Sequence, residues 1–216
     1  MVHVFEVKGK TIEKKQRHTV KHSKDNSLES HEQETLLRAV KELKIQPETQ
    51  YRYEVLIHLM MNAGLRVSEA LQVRFEWFND CEEGILLNIP NKARDLSNMK
   101  RDWKPKTKAG KREVFFLDKG VGEKVKSYFI TNTKGIGFSR QRAYQIIKSL
   151  GAKINKEGLH PHALRSTYAN NLVYKGVNAT TLMYYMGWSN LNVALNYIKS
   201  SNIAARRDLI KKFTED

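Results

Sequence analysis

Between about residue 80 and residue 117 the hydrophobic pattern changes period, and helical patterning lies on both sides of the change. Before it, Leu36, Val40 and Leu43, then Tyr53, Leu56, Ile57 and Met60, recur every three or four residues, which places each set on one helix face. Inside it, residues 84–90 and 113–117 are short apolar runs bounded by turn residues, and each predicts a strand. After it the helical spacing returns. The sets are Ala143, Ile147 and Leu150; Leu164, Tyr168 and Leu172; Leu182, Tyr185 and Met186; Ala194, Tyr197 and Ile198; and last Ile203, Ile210 and Phe213. The expected fold class is mainly α (α+β): helices with one small antiparallel β-sheet, in a single domain.

Local signals mark the ends of these elements. Ser30 with Gln33 fits a capping box. Pro47 interrupts the helical pattern, and Gly64 suits a helix C-cap. Ser139 and Asn178 are N-cap residues, Ser189 is offered as a third, and Gly151 and Gly176 read as stops. Lys108 to Lys111 falls where a hairpin turn is expected ahead of the second strand.

Charge narrows the partners. Of 216 residues, 38 are Lys or Arg and 23 are Asp or Glu, for a net charge of +15. Such an excess opposes compaction unless a polyanion is a usual partner, and nucleic acid is the first candidate. An anionic membrane surface or a merely basic exterior are the other readings. No membrane span is expected, because the longest apolar runs, such as residues 55–61, are short and interrupted by His58. No signal-peptide pattern opens the chain, and the single Cys81 fits a reducing, cytoplasmic location (host cell cytoplasm or nucleoid). No Cys/His set has zinc spacing and no acidic cluster suits a metal, so neither metal nor cofactor is expected. Residues 1–29 form a basic N-terminal arm centred on Lys14-Lys15-Gln16-Arg17, either solvated or lying along DNA phosphates.

Several residues could carry chemistry, and each has an ordinary structural alternative. Arg66, with Glu69 three residues on, is either a surface ion pair or a guanidinium oriented to meet a phosphate. His162 and Arg165 share one helix face. Trp188 after Gly187 could be a core aromatic, and most of the nine tyrosines, Tyr197 among them, could be structural. Lys108 sits among Lys104, Lys106, Lys111 and Arg112, which is a nonspecific basic loop or the setting of a general acid. Arg140, Gln141 and Arg142 open a helix whose N-terminus favours phosphate, so they are candidate DNA contacts with Lys106 and Lys111.

The order of these motifs is more specific than any one of them. Gly64-Leu65-Arg66-Val67-Ser68-Glu69, then Thr107-Lys108 ahead of Lys111-Arg112-Glu113-Val114, then Pro161-His162-Ala163-Leu164-Arg165, then Gly187-Trp188, then Tyr197, closely resembles the catalytic domain of the tyrosine recombinases, the phage-integrase family. The resemblance covers residues 30–216. Family members usually carry His where Trp188 stands, and some carry Trp, whose indole N–H replaces the imidazole donor. They usually have a helical core-binding domain as well, and fewer than 30 residues precede the first predicted helix here, too few for one.

The resemblance implies a site-specific recombinase or integrase of a mobile element or virus, acting without metal or ATP through a 3′-phosphotyrosyl intermediate. It implies Tyr197 as nucleophile, Arg66 and Arg165 as the phosphate clamp, His162 as proton acceptor, Lys108 as general acid and Trp188 as a further donor. It implies double-stranded DNA as partner and a homo-oligomer, a tetramer, assembled on it. A catalytically silent DNA-binding module or a topoisomerase-like fragment is the alternative.

Overall fold

A computed structural model describes residues 26–199. The basic arm up to residue 25 and the helix predicted from Ile203 to Phe213 lie outside the described residues. Three helices come first: α1 (Ser30–Lys41), α2 (Pro47–Met61) and the single turn α3 (Val67–Ala70). The strands β1 (Phe78–Cys81), β2 (Gly84–Ile89), β3 (Ala93–Arg94), β4 (Asp102–Trp103) and β5 (Arg112–Phe115) follow. Five helices complete the chain: α4 (Lys119–Thr131), α5 (Arg140–Lys153), α6 (Pro161–Tyr174), α7 (Ala179–Met186) and α8 (Leu191–Lys199).

The expected helix–sheet–helix order holds, with a richer β region. β2 is the centre of an antiparallel sheet ordered β1-β2-β5, with Leu87 opposite both Phe78 and Val114. A separate two-stranded sheet, β3 with β4, lies in the long connection from β2 to β5. Strands of two residues leave no periodicity to read, which is why this stretch looks only basic in the sequence. Lys108 is therefore not at a hairpin tip. Lys108–Gly110 is a 3-10 turn leading into β5, and Gly110 is required there because a Cβ would lie 2.4 Å from Pro105 Cβ.

Three end signals shift. The reciprocal cap of α1 uses Glu29, whose amide donates to Glu32 Oε2 at 2.9 Å, while Gln33 reaches Leu28 O instead. Gly151 does not stop α5, which runs on to Lys153; the glycine admits Leu159, whose Cβ would be 2.6 Å from an added Cβ. Asn190, not Ser189, caps α8: its Oδ1 accepts from the Asn192 amide at 2.9 Å. Ser139 and Asn178 cap α5 and α7 as expected, accepting from Arg142 N and Thr181 N.

The main core surrounds α2, which is buried from Val55 to Met61 and packs against α1, α4 and α6. Burying His58 in that run needs partners, and Asn62 and Glu54 supply them. A smaller cluster gathers Tyr168, Leu172 and Val173 of α6, Leu182 and Met186 of α7, and Ala194 of α8. Trp188 and Tyr197 pack at its edge. α6 thus faces both cores, and Arg165 lies where they meet. Among the described residues, no helix is long and apolar enough to cross a membrane.

Candidate active site

The site begins with Glu69, a carboxylate with no solvent exposure. It stands in the first turn of α3 and reaches back to the cap: the Arg66 amide donates to its Oε2 at 2.8 Å, and Arg66 Nη1 to its Oε1 at 2.8 Å. Arg112 approaches from β5 and grips both oxygens, Nη1 to Oε1 at 3.1 Å and Nη2 to Oε2 at 3.0 Å. Arg165, from α6, places Nη1 3.7 Å from Oε2. Burial works against ionising Glu69, but the Arg112 charge and hydrogen bonds, with Arg165 and Arg66, overcome it and bring its pKa down to about 2. One buried anion therefore gathers three guanidinium groups.

The same three arginines cap α7. Gly187 ends that helix in the left-handed conformation, with φ 56° and ψ 43°. Its amide turns back to Tyr184 O at 2.9 Å, and the Trp188 amide to Met183 O at 3.0 Å. Three successive carbonyls are left beyond the helix ladder, and each accepts from one arginine: Tyr185 O from Arg112 Nε at 2.8 Å, Met186 O from Arg165 Nη2, and Gly187 O from Arg66 Nη2 at 2.8 Å. Cations at the negative end of a helix dipole are favourably placed. Gly187 is a necessity for packing as well, because an added Cβ would lie 2.7 Å from Ala109 O and 3.0 Å from the Arg112 side chain.

The two arginines expected to form a phosphate clamp come together, as does the nucleophile candidate. Arg165 is also held by Gly64 O at 2.5 Å. Gly64 has φ +63°, and an added Cβ would stand 2.3 Å from the Tyr168 ring. This glycine follows the end of α2 rather than capping it, since the helix closes at Asn62. Arg66 and Arg165 each spend two of their five N–H groups on these protein partners, leaving donors for an anion. Burial weakens the hold of Arg165 on its proton, against the pull of Glu69, yet its pKa of about 9 keeps it charged at neutral pH.

Tyr197 of α8 stacks on Trp188, with ring centroids 5.1 Å apart and planes at 26°, and its hydroxyl shares a hydrogen bond of 2.9 Å with Ser166 Oγ. Ser166 directly follows Arg165 in α6, and the phenol is near enough to Arg165 to act on its charge. His162 is exposed in the first turn of α6, 6.3 Å from the His160 ring between centroids. Loss of hydration, then the charges of Arg165, His160 and Arg66, lowers its pKa and favours the neutral ring. Lys108 is exposed on its 3-10 turn, and the carbonyl oxygen of the next residue, Ala109, lies 2.7 Å from where a Cβ on Gly187 would stand. Thr107, just before it, buries a hydroxyl that has no hydrogen-bond partner among the described residues.

The comparisons with known proteins fit this geometry. Residues 26–202 match the model of the phage integrase family. The chain belongs to the phage integrase family. Curated relatives include tyrosine recombinase XerD of Neisseria meningitidis serogroup B, 25% identical over 161 residues, which cover 70% of this chain and 52% of that protein. Another is a probable integrase/recombinase of Acholeplasma phage L2, 24% identical over 163 residues, covering 76% and 54%. This chain thus spans about half the length of the curated relatives it matches. Among solved structures, the Tn1549 transposon integrase in complex with circular intermediate DNA superposes with a TM-score of 0.62 at 21% identity, covering 87% of this chain and 67% of that one. XerA recombinase gives a TM-score of 0.60 at 17% identity, covering 86% and 62%. The fold is that of a tyrosine recombinase catalytic domain.

The remaining candidates face solvent. Arg140, Gln141, Lys106 and Lys111 are exposed, and Arg142 is exposed while donating to Tyr53 Oη at 2.9 Å. Arg140 also lines a cavity of about 500 Å³ with Arg101, Lys134, Ser68 and Asp95. Sequence reasoning missed the part played by Arg112, filed among the basic residues of its run. The alternation of burial in β5 points to it, since Arg112 and Val114 face inward while Glu113 is exposed. A charged residue on the apolar side of a strand needs a buried partner, and Glu69 is that partner.

Proposed function

We propose that this chain is the catalytic part of a site-specific DNA recombinase that cleaves and rejoins strands through a 3′-phosphotyrosyl intermediate, without metal or ATP. The observation that carries the reading is the pair Arg66 and Arg165, both fixed behind by Glu69 and the α7 carbonyls, beside the hydroxyl of Tyr197. Two fixed cations with spare donors suit a phosphodiester whose non-bridging oxygens gain charge in the transition state. Removing one such donor typically costs about 100–1000-fold in rate.

In this reading Tyr197 Oη attacks phosphorus and passes its proton to neutral His162, while Lys108 protonates the departing 5′-oxygen and Trp188 donates its indole N–H to the phosphate. The phosphotyrosyl bond keeps the phosphodiester energy, and a 5′-hydroxyl from another strand reverses the step. The duplex would be gripped by Arg140, Gln141, Arg142, Lys106 and Lys111, and strand exchange would take place in a tetramer of this chain on DNA. The location is the compartment that holds the DNA, the cytoplasm or nucleoid of the host cell.

The test uses a pool of nicked duplexes of randomised sequence, with EDTA present, from which covalent protein–DNA adducts are captured and sequenced. Adducts are expected from the native chain and not from Tyr197→Phe. Tight binding with no adduct would support a silent DNA-binding module, and an adduct that survives Tyr197→Phe would overturn the nucleophile assignment.

A further inference from the structure

Arg112 differs from the other two arginines in what it has left to give. Four of its five N–H groups are spent inside the protein: Nε on Tyr185 O, Nη1 on Glu69 Oε1 and Gly110 O, and Nη2 on Glu69 Oε2. Its side chain is 1% exposed. It therefore has neither the donors nor the access to clamp a phosphate.

What it touches is informative. Gly110 O, which accepts from Nη1 at 2.9 Å, closes the 3-10 turn that begins at Lys108. Glu69 is the anchor of Arg66. Tyr185 O belongs to the α7 terminus, whose next two carbonyls hold Arg165 and Arg66. Before Gly110 the Lys108 turn carries only exposed or half-exposed residues. A single guanidinium thus bonds that turn to the carboxylate and the helix end that set the clamp.

We propose that Arg112 is a positioning residue for Lys108, holding the 3-10 turn in register with the Arg66–Arg165 pair so that the ammonium group meets the leaving oxygen. This rests on the role given to Lys108 under the proposed function. In the step concerned, the Tyr197 oxygen–phosphorus bond forms, the phosphorus–5′-oxygen bond breaks, and a proton moves from Lys108 Nζ to that oxygen. If the 5′-oxygen is replaced by sulfur, the phosphorus–sulfur bond breaks and a thiolate leaves without needing the proton.

The experiment compares adduct formation on one duplex recovered from the randomised pool, made with either a 5′-oxygen or a 5′-bridging sulfur at the cleaved bond. Arg112→Lys is the variant, because it keeps a cation against Glu69 while losing the planar fork that reaches Gly110. Each variant is scored by the ratio of its two rates, which does not depend on how much of the sample is folded. General acid catalysis contributes roughly 100–10,000-fold. Lys108→Ala should fall by about that factor on oxygen and recover on sulfur. Arg112→Lys should fall by at least about tenfold on oxygen and come within about threefold of the native rate on sulfur, a partial form of the same pattern.

Equal losses on both substrates for Arg112→Lys, with Lys108→Ala still rescued, would overturn the inference and leave the Lys108 role intact. A Lys108→Ala defect that sulfur does not rescue, or a native chain that forms no adduct on any duplex, would overturn both.

Discussion

Replacing Glu69 with Gln removes the anion that Arg66, Arg112 and Arg165 share while keeping its volume. Breaking a buried ion pair by deleting one partner typically costs about 3–5 kcal/mol, because the surviving charge stays desolvated. Independently, the Glu69 pKa falls from 4.5 to about 2 on folding. At about 1.4 kcal/mol per tenfold change in proton affinity, that is about 3 kcal/mol of stability. The sign follows from the lowered value: the contribution is complete above the unfolded pKa and is lost as pH falls through the folded one. Urea unfolding of the native chain and Glu69→Gln at pH 7 should therefore differ by about 3 kcal/mol, a large share of the 5–15 kcal/mol of a typical domain. At pH 3 the difference should shrink to less than half, while the other carboxylates, common to both proteins, cancel. A gap below about 1 kcal/mol at pH 7, or one that does not change with pH, would refute the claim that Glu69 is the ionised hub of the site.

Gly64→Ala should cost at least about 2 kcal/mol, from its positive φ and the collision with Tyr168, and should slow adduct formation by displacing the carbonyl that holds Arg165; an unchanged melting temperature would contradict this. Thr107→Val should raise stability by about 1 kcal/mol in chemical denaturation, since it removes a buried hydroxyl with no partner among the described residues. Because the His162 pKa is lowered, its base form persists below the ordinary histidine value, so the adduct-forming rate should stay level from pH 8 down to about 6.5 and fall only below that. DNA affinity should fall steeply with salt, and Arg140→Ala should reduce the slope of log affinity against log salt by about one in a binding titration.

Within the described residues, the helical sets and the two main strands were legible because each keeps one period along its length. The ends were less so. Cap chemistry at Glu29 and Asn190 competes with equally plausible neighbours one residue away, and only the folded chain decides between Ser189 and Asn190. The two-residue strands β3 and β4 are fixed by where the long connection packs, which no local pattern encodes. At the site, motif order picked out Arg66, Arg165 and Tyr197, and the structure brings them together. It could not give Arg112 its place. The Glu69–Arg112 contact joins α3 to β5 across 43 residues, and a lysine-rich run hides the one basic residue that points inward.

The α7 terminus has a consequence for how much this chain can change without losing its site. Among the described residues, the anchors Gly64, Gly110, Tyr185, Met186 and Gly187 hold the three guanidinium groups through main-chain oxygens, and only Glu69 does so through a side chain. The arrangement is specified by the path of the backbone more than by the chemistry of the residues along it. Exchanging Tyr185 for another half-buried residue leaves its carbonyl where it was. A centre written mostly in peptide groups can therefore persist while its surroundings drift, and the few positions that cannot drift are those where the path itself needs a glycine.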